Sequence, residues 1–148
     1  MTKNISVLGS TGSIGVQTLD VARMHGIRVS ALTANRSIEL LEKQAREFRP
    51  KIAAVLDLEA ASKLRAALAD TDVKVLGGEE GIKEAARCDG ADTVVNAVVG
   101  VAGLMPTLEA IDAGKDLALA NKETLVAGGS VVKAAIRQKG VKLYPVDS

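Results

Sequence analysis

Aromatic residues are almost missing from this sequence. Phe48 and Tyr144 are the only two, and there is no tryptophan. That removes the usual platform on which proteins stack nucleic-acid bases. It also means that a core must be filled with Val, Ile, Leu and Ala, as in a parallel sheet covered by helices. Cys88 is the single cysteine, so no intrachain disulfide forms, which fits a reducing compartment. There is no His/Cys cluster of the kind that holds a metal, and with His25 as the single histidine a Ser-His-Asp arrangement is implausible. No charge of either sign dominates: 19 basic and 18 acidic residues leave a net charge of +1, which argues against a nucleic-acid surface. The longest apolar stretch, around Val94–Val101, is too short to span a bilayer and contains Asn96. The start, Met1–Asn4, is polar and runs into an apolar strand, unlike a signal peptide. The expectation is a soluble cytoplasmic protein with neither a nucleic-acid nor a membrane partner.

What is present is a regular alternation. The 148 residues, 47% of them hydrophobic, suit a single domain over 1–148. Strands are expected at Ile5–Leu8, Ile27–Leu32, Ile52–Leu56, Val73–Leu76, Thr93–Val98, Asp116–Ala120 and Val141–Val146. Between them, apolar residues recur at helical spacing. They are Ile14, Thr18, Val21 and Ala22, then Ile38, Leu41, Ala45 and Phe48, then Leu58, Ala61, Leu64 and Leu68. Further helices are expected near Ile82–Ala86, with Pro106 in the first turn of the next, and through Val131, Val132, Ala135 and Ile136. Ser37 and Asp57 are placed to cap helix starts, Pro50 ends the second helix, and Gly26, Gly114 and Gly140 suit helix ends. This pattern implies an α/β fold: a doubly wound, mostly parallel Rossmann-like sheet with helices on both faces. Ligands of such sheets bind outside the carboxyl ends of the strands. The chain stops just after its last strand, an unusual end for a complete enzyme.

The first strand-to-helix turn reads Gly9-Ser10-Thr11-Gly12-Ser13-Ile14-Gly15. Glycines there permit a tight turn and close backbone approach, and a helix N-terminus offers free N–H groups to a pyrophosphate. The spacing is G-x-x-G-x-x-G rather than G-x-G-x-x-G, so position in the βαβ unit carries more weight than pattern. Ser10, Thr11 and Ser13 add hydroxyl donors. An NAD site places an acid at the end of the second strand. Here the sequence is Thr33-Ala34-Asn35-Arg36-Ser37, with no acid. Arg36 attracts a 2′-phosphate, and Asn35 and Ser37 add polar contacts. NADPH is therefore expected, the alternative for Arg36 being a solvated surface arginine.

Other candidates are less specific. Asn121-Lys122-Glu123-Thr124 follows a strand and opens a helix. Lys122 could serve an anionic substrate atom there, while Glu123 also suits a helix start on dipole grounds alone. Asp147 and Ser148 follow the final strand. One carboxylate does not make a metal site, and a solvated terminal Asp is the simpler reading. Asn96 is expected to make a strand-end backbone contact rather than hold a ribose. His25 is expected to meet the helix dipole beside Gly26, and Cys88 to be structural.

Five stretches, in order along the chain, resemble the N-terminal NADPH-binding domain of the 1-deoxy-D-xylulose 5-phosphate reductoisomerase family. They are Val7–Gly15, Ala34-Asn35-Arg36, Val99–Leu104, Leu119-Ala120-Asn121-Lys122-Glu123 and Pro145-Val146-Asp147-Ser148. The resemblance implies conversion of 1-deoxy-D-xylulose 5-phosphate to 2-C-methyl-D-erythritol 4-phosphate, on the non-mevalonate route to isoprenoids. The reaction is a skeletal rearrangement followed by hydride transfer from NADPH, with Mg²⁺ or Mn²⁺ holding the substrate oxygens. It implies cofactor binding by Thr11, Gly12, Ser13, Ile14, Asn35, Arg36, Ser37, Asn121 and Glu123. It implies substrate contacts, the catalytic positions in this chain, at Lys122 and Ser148, and a metal carboxylate at Asp147. It also implies a phosphorylated sugar substrate and a homodimer for the intact enzyme. The family continues past this aspartate-serine pair into catalytic and C-terminal domains, so these 148 residues alone are expected to bind cofactor without turnover. Another NADP-dependent reductase domain, or a stand-alone NADP-binding module, are the rival readings. The former does not account for the Asn121–Glu123 and Pro145–Ser148 stretches together, and the length of the intact gene product discriminates the latter.

Overall fold

A computed structural model describes residues 3–98, 101–120 and 122–145, the side chains of residues 101, 122–127 and 145 excepted. Its strands are β1 (Asn4–Leu8), β2 (Arg28–Ala34), β3 (Ile52–Val55), β4 (Lys74–Gly77), β5 (Thr93–Asn96), β6 (Asp116–Leu119) and β7 (Leu143–Pro145). The helices are α1 (Ser13–His25), α2 (Ile38–Phe48), α3 (Leu58–Ala67), α4 (Gly78–Ala86), α5 (Leu104–Asp112) and α6 (Lys122–Lys139). The strands form one sheet in the order β4-β3-β2-β1-β5-β6-β7. Every pairing is parallel, where the sequence pattern promised only a mostly parallel sheet.

Handedness explains where the helices lie. From β1 the chain steps outward through β2 and β3 to β4, then returns to the far side of β1 and steps outward the other way. Right-handed crossovers in opposite directions require helices on opposite faces. One face accordingly packs Leu19, Leu41 and Leu64 of α1, α2 and α3 against Val7, Leu32 and Val55. The other packs Ile82, Ile111 and Val132 of α4, α5 and α6 against Leu8, Val94 and Leu117. Val7 and Leu8 serve different faces because successive strand side chains alternate. The reversal opens a crevice between β1 and β5, at their carboxyl ends.

Several local expectations shift. Val21 is 50% exposed, and Leu19 fills the core position on α1 instead. Leu58 is likewise on the outer side, 70% exposed. Asp57 caps α3 by accepting the Ala60 amide at 2.9 Å, but Ser37 makes no side-chain cap on α2. Its φ/ψ of −78°/72° departs from the extended conformation usual for that role. α2 ends where Arg49 turns left-handed, directly before Pro50. β5 stops at Asn96, two residues early, and β7 covers Leu143–Pro145, with Val146 outside the described residues. α6 is interrupted at Gly128, where a Cβ would stand 2.4 Å from the Leu104 side chain of α5.

Candidate functional site

The glycine-rich turn lies at the crevice. Gly9 leaves β1 with φ +78°, a left-handed conformation that strains any side-chain-bearing residue. Its carbonyl accepts the Gly12 amide at 3.3 Å, which folds the turn back on itself. Gly15 sits under that turn: a Cβ there would stand 2.2 Å from the Gly9 oxygen and 2.6 Å from Ser10 Cα. The glycine spacing is therefore a packing requirement between the turn and the first turn of α1. Gly12 gives α1 no side-chain cap. The amides of Ser13, Ile14 and Gly15 find no acceptor among the described residues. Gly12 and Ser13 are exposed, with Thr11 and Ile14 half-buried. These amides and the positive end of the helix dipole favour an oxyanion.

Ser10 differs from expectation. Its hydroxyl points inward, donating to Gln44 Oε1 at 2.8 Å, with the Thr33 carbonyl a longer 3.3 Å away. It is fully buried and offers nothing to a ligand. The turn is also bonded to β2: the Gly9 amide donates to Thr33 Oγ1 at 3.0 Å and the Ser10 amide to the Thr33 carbonyl at 2.9 Å.

Beside the turn, β2 runs into Asn35, Arg36 and Ser37, all exposed. Backbone bonds fix this connection: the Asp57 amide donates to the Asn35 carbonyl, and the Ile38 amide to that of Arg36. Thr11, Arg36, Ser37, Glu39 and Lys43 line a recess of about 530 Å³. Arg36 and Lys43 make no side-chain bond or ion pair with the described residues, so two cations stand free beside the open amides of α1. Lys43 escaped the sequence reading because it lies in the second turn of α2 and carries no local motif.

Asn96 does what a strand-end residue does. Its amide donates to the Gly103 carbonyl at 2.9 Å and to Thr107 Oγ1 at 2.7 Å, and its Oδ1 accepts the Val98 amide at 3.1 Å. Every polar atom is committed to shaping the segment after β5. His25 ends α1 on the opposite edge, and the buried Cys88 thiol donates to the Ser30 carbonyl at 3.8 Å. Of the remaining candidates, Asn121, Asp147 and Ser148 lie outside the described residues, as do the side chains of Lys122 and Glu123. Lys122 begins α6 just beyond the carboxyl end of β6, on the crevice edge. No group of three or more His, Cys, Asp or Glu among the described residues is placed to hold a metal ion.

A larger hollow, about 590 Å³, opens at the other edge of the sheet and includes Arg23, Arg28, Phe48, Arg49 and Lys51. It lies at the amino ends of β1 and β2, where α1 and α2 present their C-termini. Those dipole ends disfavour an anion, and basic residues there complement the helices instead. Size does not make it the binding site.

The profile of the 1-deoxy-D-xylulose 5-phosphate reductoisomerase family matches residues 5–129. The reductoisomerase of Acetivibrio thermocellus is 60% identical over 148 residues, covering all of this chain and 39% of that protein. The Zymomonas mobilis enzyme, solved in complex with NADPH, superposes with a TM-score of 0.94 at 42% identity, over all of this chain and 39% of that one. A reductoisomerase solved with NADPH, fosmidomycin and magnesium gives 0.92 at 38% identity, over 97% of this chain and 36% of that one. The chain thus spans about two fifths of the length of the relatives it matches.

Proposed function

From the premise that this chain belongs to the 1-deoxy-D-xylulose 5-phosphate reductoisomerase family, we propose that residues 1–148 form its NADPH-binding domain. The intact enzyme would convert 1-deoxy-D-xylulose 5-phosphate to 2-C-methyl-D-erythritol 4-phosphate. The observation that carries this reading is one juxtaposition. The uncapped amides of α1 stand beside a recess holding Arg36 and Lys43, with no carboxylate at the end of β2. The amides take the pyrophosphate, with Thr11, Gly12, Ser13 and Ile14 around it. Arg36, flanked by Asn35 and Ser37, takes the 2′-phosphate that distinguishes NADPH from NADH. Bound NADPH supplies the hydride.

Asn121 and Glu123 belong to the same cofactor site in this reading. Lys122 and Ser148 contact the phosphorylated sugar, and Asp147 is one carboxylate of a Mg²⁺ or Mn²⁺ site. The other metal carboxylates come from the longer protein, so the 148 residues bind cofactor without turnover. The reading includes a cytoplasmic homodimer for the intact enzyme. The lone cysteine suits a reducing compartment. No helix among the described residues is long and apolar enough to cross a membrane.

Titration with NADPH and NADH, followed by nucleotide fluorescence, tests the assignment. NADPH should bind at least about 10-fold more tightly, the order expected for one charge-assisted pair. Equal or tighter binding of NADH would overturn it.

A further inference from the structure

We propose that Gln44 is a positioning residue that holds the two phosphate subsites of the cofactor in register; this rests on the NADPH reading above. Gln44 is a polar side chain at a core position, 6% exposed, between Leu41 and Ala45 on the inner face of α2. Its amide closes a two-bond ring with Ser10. Gln44 Oε1 accepts the Ser10 hydroxyl at 2.8 Å, and Gln44 Nε2 donates to the Ser10 carbonyl at 2.9 Å. A leucine would pack at this position without needing polar partners. A buried glutamine must be paired, and a pair this deep fixes geometry.

The geometry it fixes lies between two elements. The pyrophosphate subsite is the turn Gly9–Gly15 with the start of α1. The 2′-phosphate subsite is Arg36, on the connection from β2 into α2, with Lys43 on α2 itself. That connection has two arms, and the turn is bonded to both. Thr33 on β2 holds Gly9 and Ser10, and Gln44 on α2 holds Ser10. Lys43, next to Gln44, lines the recess while Gln44 faces the core. Any shift of α2 against the turn would therefore change the spacing between the two subsites. A ligand that spans two subsites gains from the second only while the span is held. NADPH uses both subsites. NADH has no 2′-phosphate and uses the turn alone, so the two nucleotides separate registration from simple support of the turn.

The test is Gln44→Met in the full-length protein that carries this chain, with Ser10→Ala as a second variant and the two combined. Met keeps length and bulk and removes both bonds. Kd is measured for NADPH and NADH on each. The expected result is a rise of about 10-fold or more for NADPH and less than about 3-fold for NADH. Ser10→Ala should move the ratio in the same direction by less, and the double variant should be no worse than Gln44→Met alone. Equal loss for both nucleotides, or no change in either, overturns the proposal. If Gln44→Met fails to fold, the nucleotide ratio of Ser10→Ala decides. If the parent protein binds no NADPH, the functional reading falls and takes this inference with it. NADPH binding with an unaltered ratio removes the inference alone.

Discussion

Two hollows face opposite edges of the same sheet, and both are lined with basic side chains. At the carboxyl edge are Arg36 and Lys43; at the amino edge are Arg23, Arg28, Arg49 and Lys51. Counting side-chain charge favours the second. Backbone electrostatics reverse the order. The carboxyl edge adds the N-terminus of α1, with three amides lacking an acceptor among the described residues, whereas the amino edge receives the C-termini of α1 and α2. The same residue types therefore serve different ends. In the proposed reading, those beside a helix start complete an anion site, and those beside a helix end offset its dipole. In a doubly wound sheet this assignment follows from strand direction alone, since every helix start shares the edge where the parallel strands end.

Paired glycine substitutions should separate the two edges most widely. In Gly15→Ala the added Cβ meets the Gly9 oxygen at 2.2 Å and Ser10 at 2.6 Å, both of them backbone that cannot turn aside. The turn must open, and NADPH affinity should fall about 100-fold or more. Gly26→Ala, the left-handed cap that ends α1, meets nothing within 4 Å. Its cost is conformational, about 1–2 kcal/mol of stability, with cofactor affinity unchanged. Fluorescence titration and thermal melts of both variants read the contrast. It breaks if Gly26→Ala weakens NADPH as much as Gly15→Ala does.

A second pair isolates charge from backbone. Arg36→Ala should weaken NADPH by roughly 10–150-fold, the worth of a hydrogen bond to a charged group, and leave NADH within about 2-fold. Lys51→Ala at the amino edge removes the same unit of charge and should change neither. Added salt should narrow the Arg36 effect, because the side chain is exposed. If the two variants weaken NADPH alike, net charge alone attracts the nucleotide and the recess has no special role.

The order of strands and helices was legible in the sequence because a parallel sheet writes itself as short β-branched runs separated by helical periods. The glycine turn and Arg36 were legible for a related reason: each sits immediately after a strand, where topology puts ligands. Faces of individual helices were less so. Val21 and Leu19 both fit a helical stripe, and only the packed structure decides that Leu19 turns inward. Ser10 looked like a phosphate donor because its neighbours do. What turns it inward is Gln44, 34 residues away, a partner that no local pattern names. Gln44 itself left a trace as a polar residue within an apolar stripe. The roles proposed for Asn121, Asp147 and Ser148 rest on resemblance alone, because all three lie outside the described residues.

The smallest effect concerns what the amino edge does in place of binding. Arg23 in the last turn of α1 bridges to Glu47 in the last turn of α2, with Nη2 to Oε1 at 2.7 Å and a second bond from Nε to Oε2. Arg23 also pairs with Asp20 at 2.8 Å, and its guanidinium lies 5.5 Å from the centre of the Phe48 ring. The Arg23 hydrogen bond holds the Glu47 carboxyl below the ordinary carboxylate range. A carboxyl whose pKa is lowered by folding stabilises the fold above its ordinary value, about 4.3 for Glu. That contribution is lost as pH falls from there through the lowered value. Both side chains are nearly half exposed, so water and salt screen the pair strongly. Glu47→Gln should therefore lower Tm at neutral pH by only about 1–3 °C. The gap from the parent should close as pH drops below about 4, and shrink likewise at high salt. NADPH affinity should stay the same throughout. If Glu47→Gln weakens NADPH while Tm holds, the amino edge is coupled to the cofactor, and the separation between an edge that binds and an edge that braces fails.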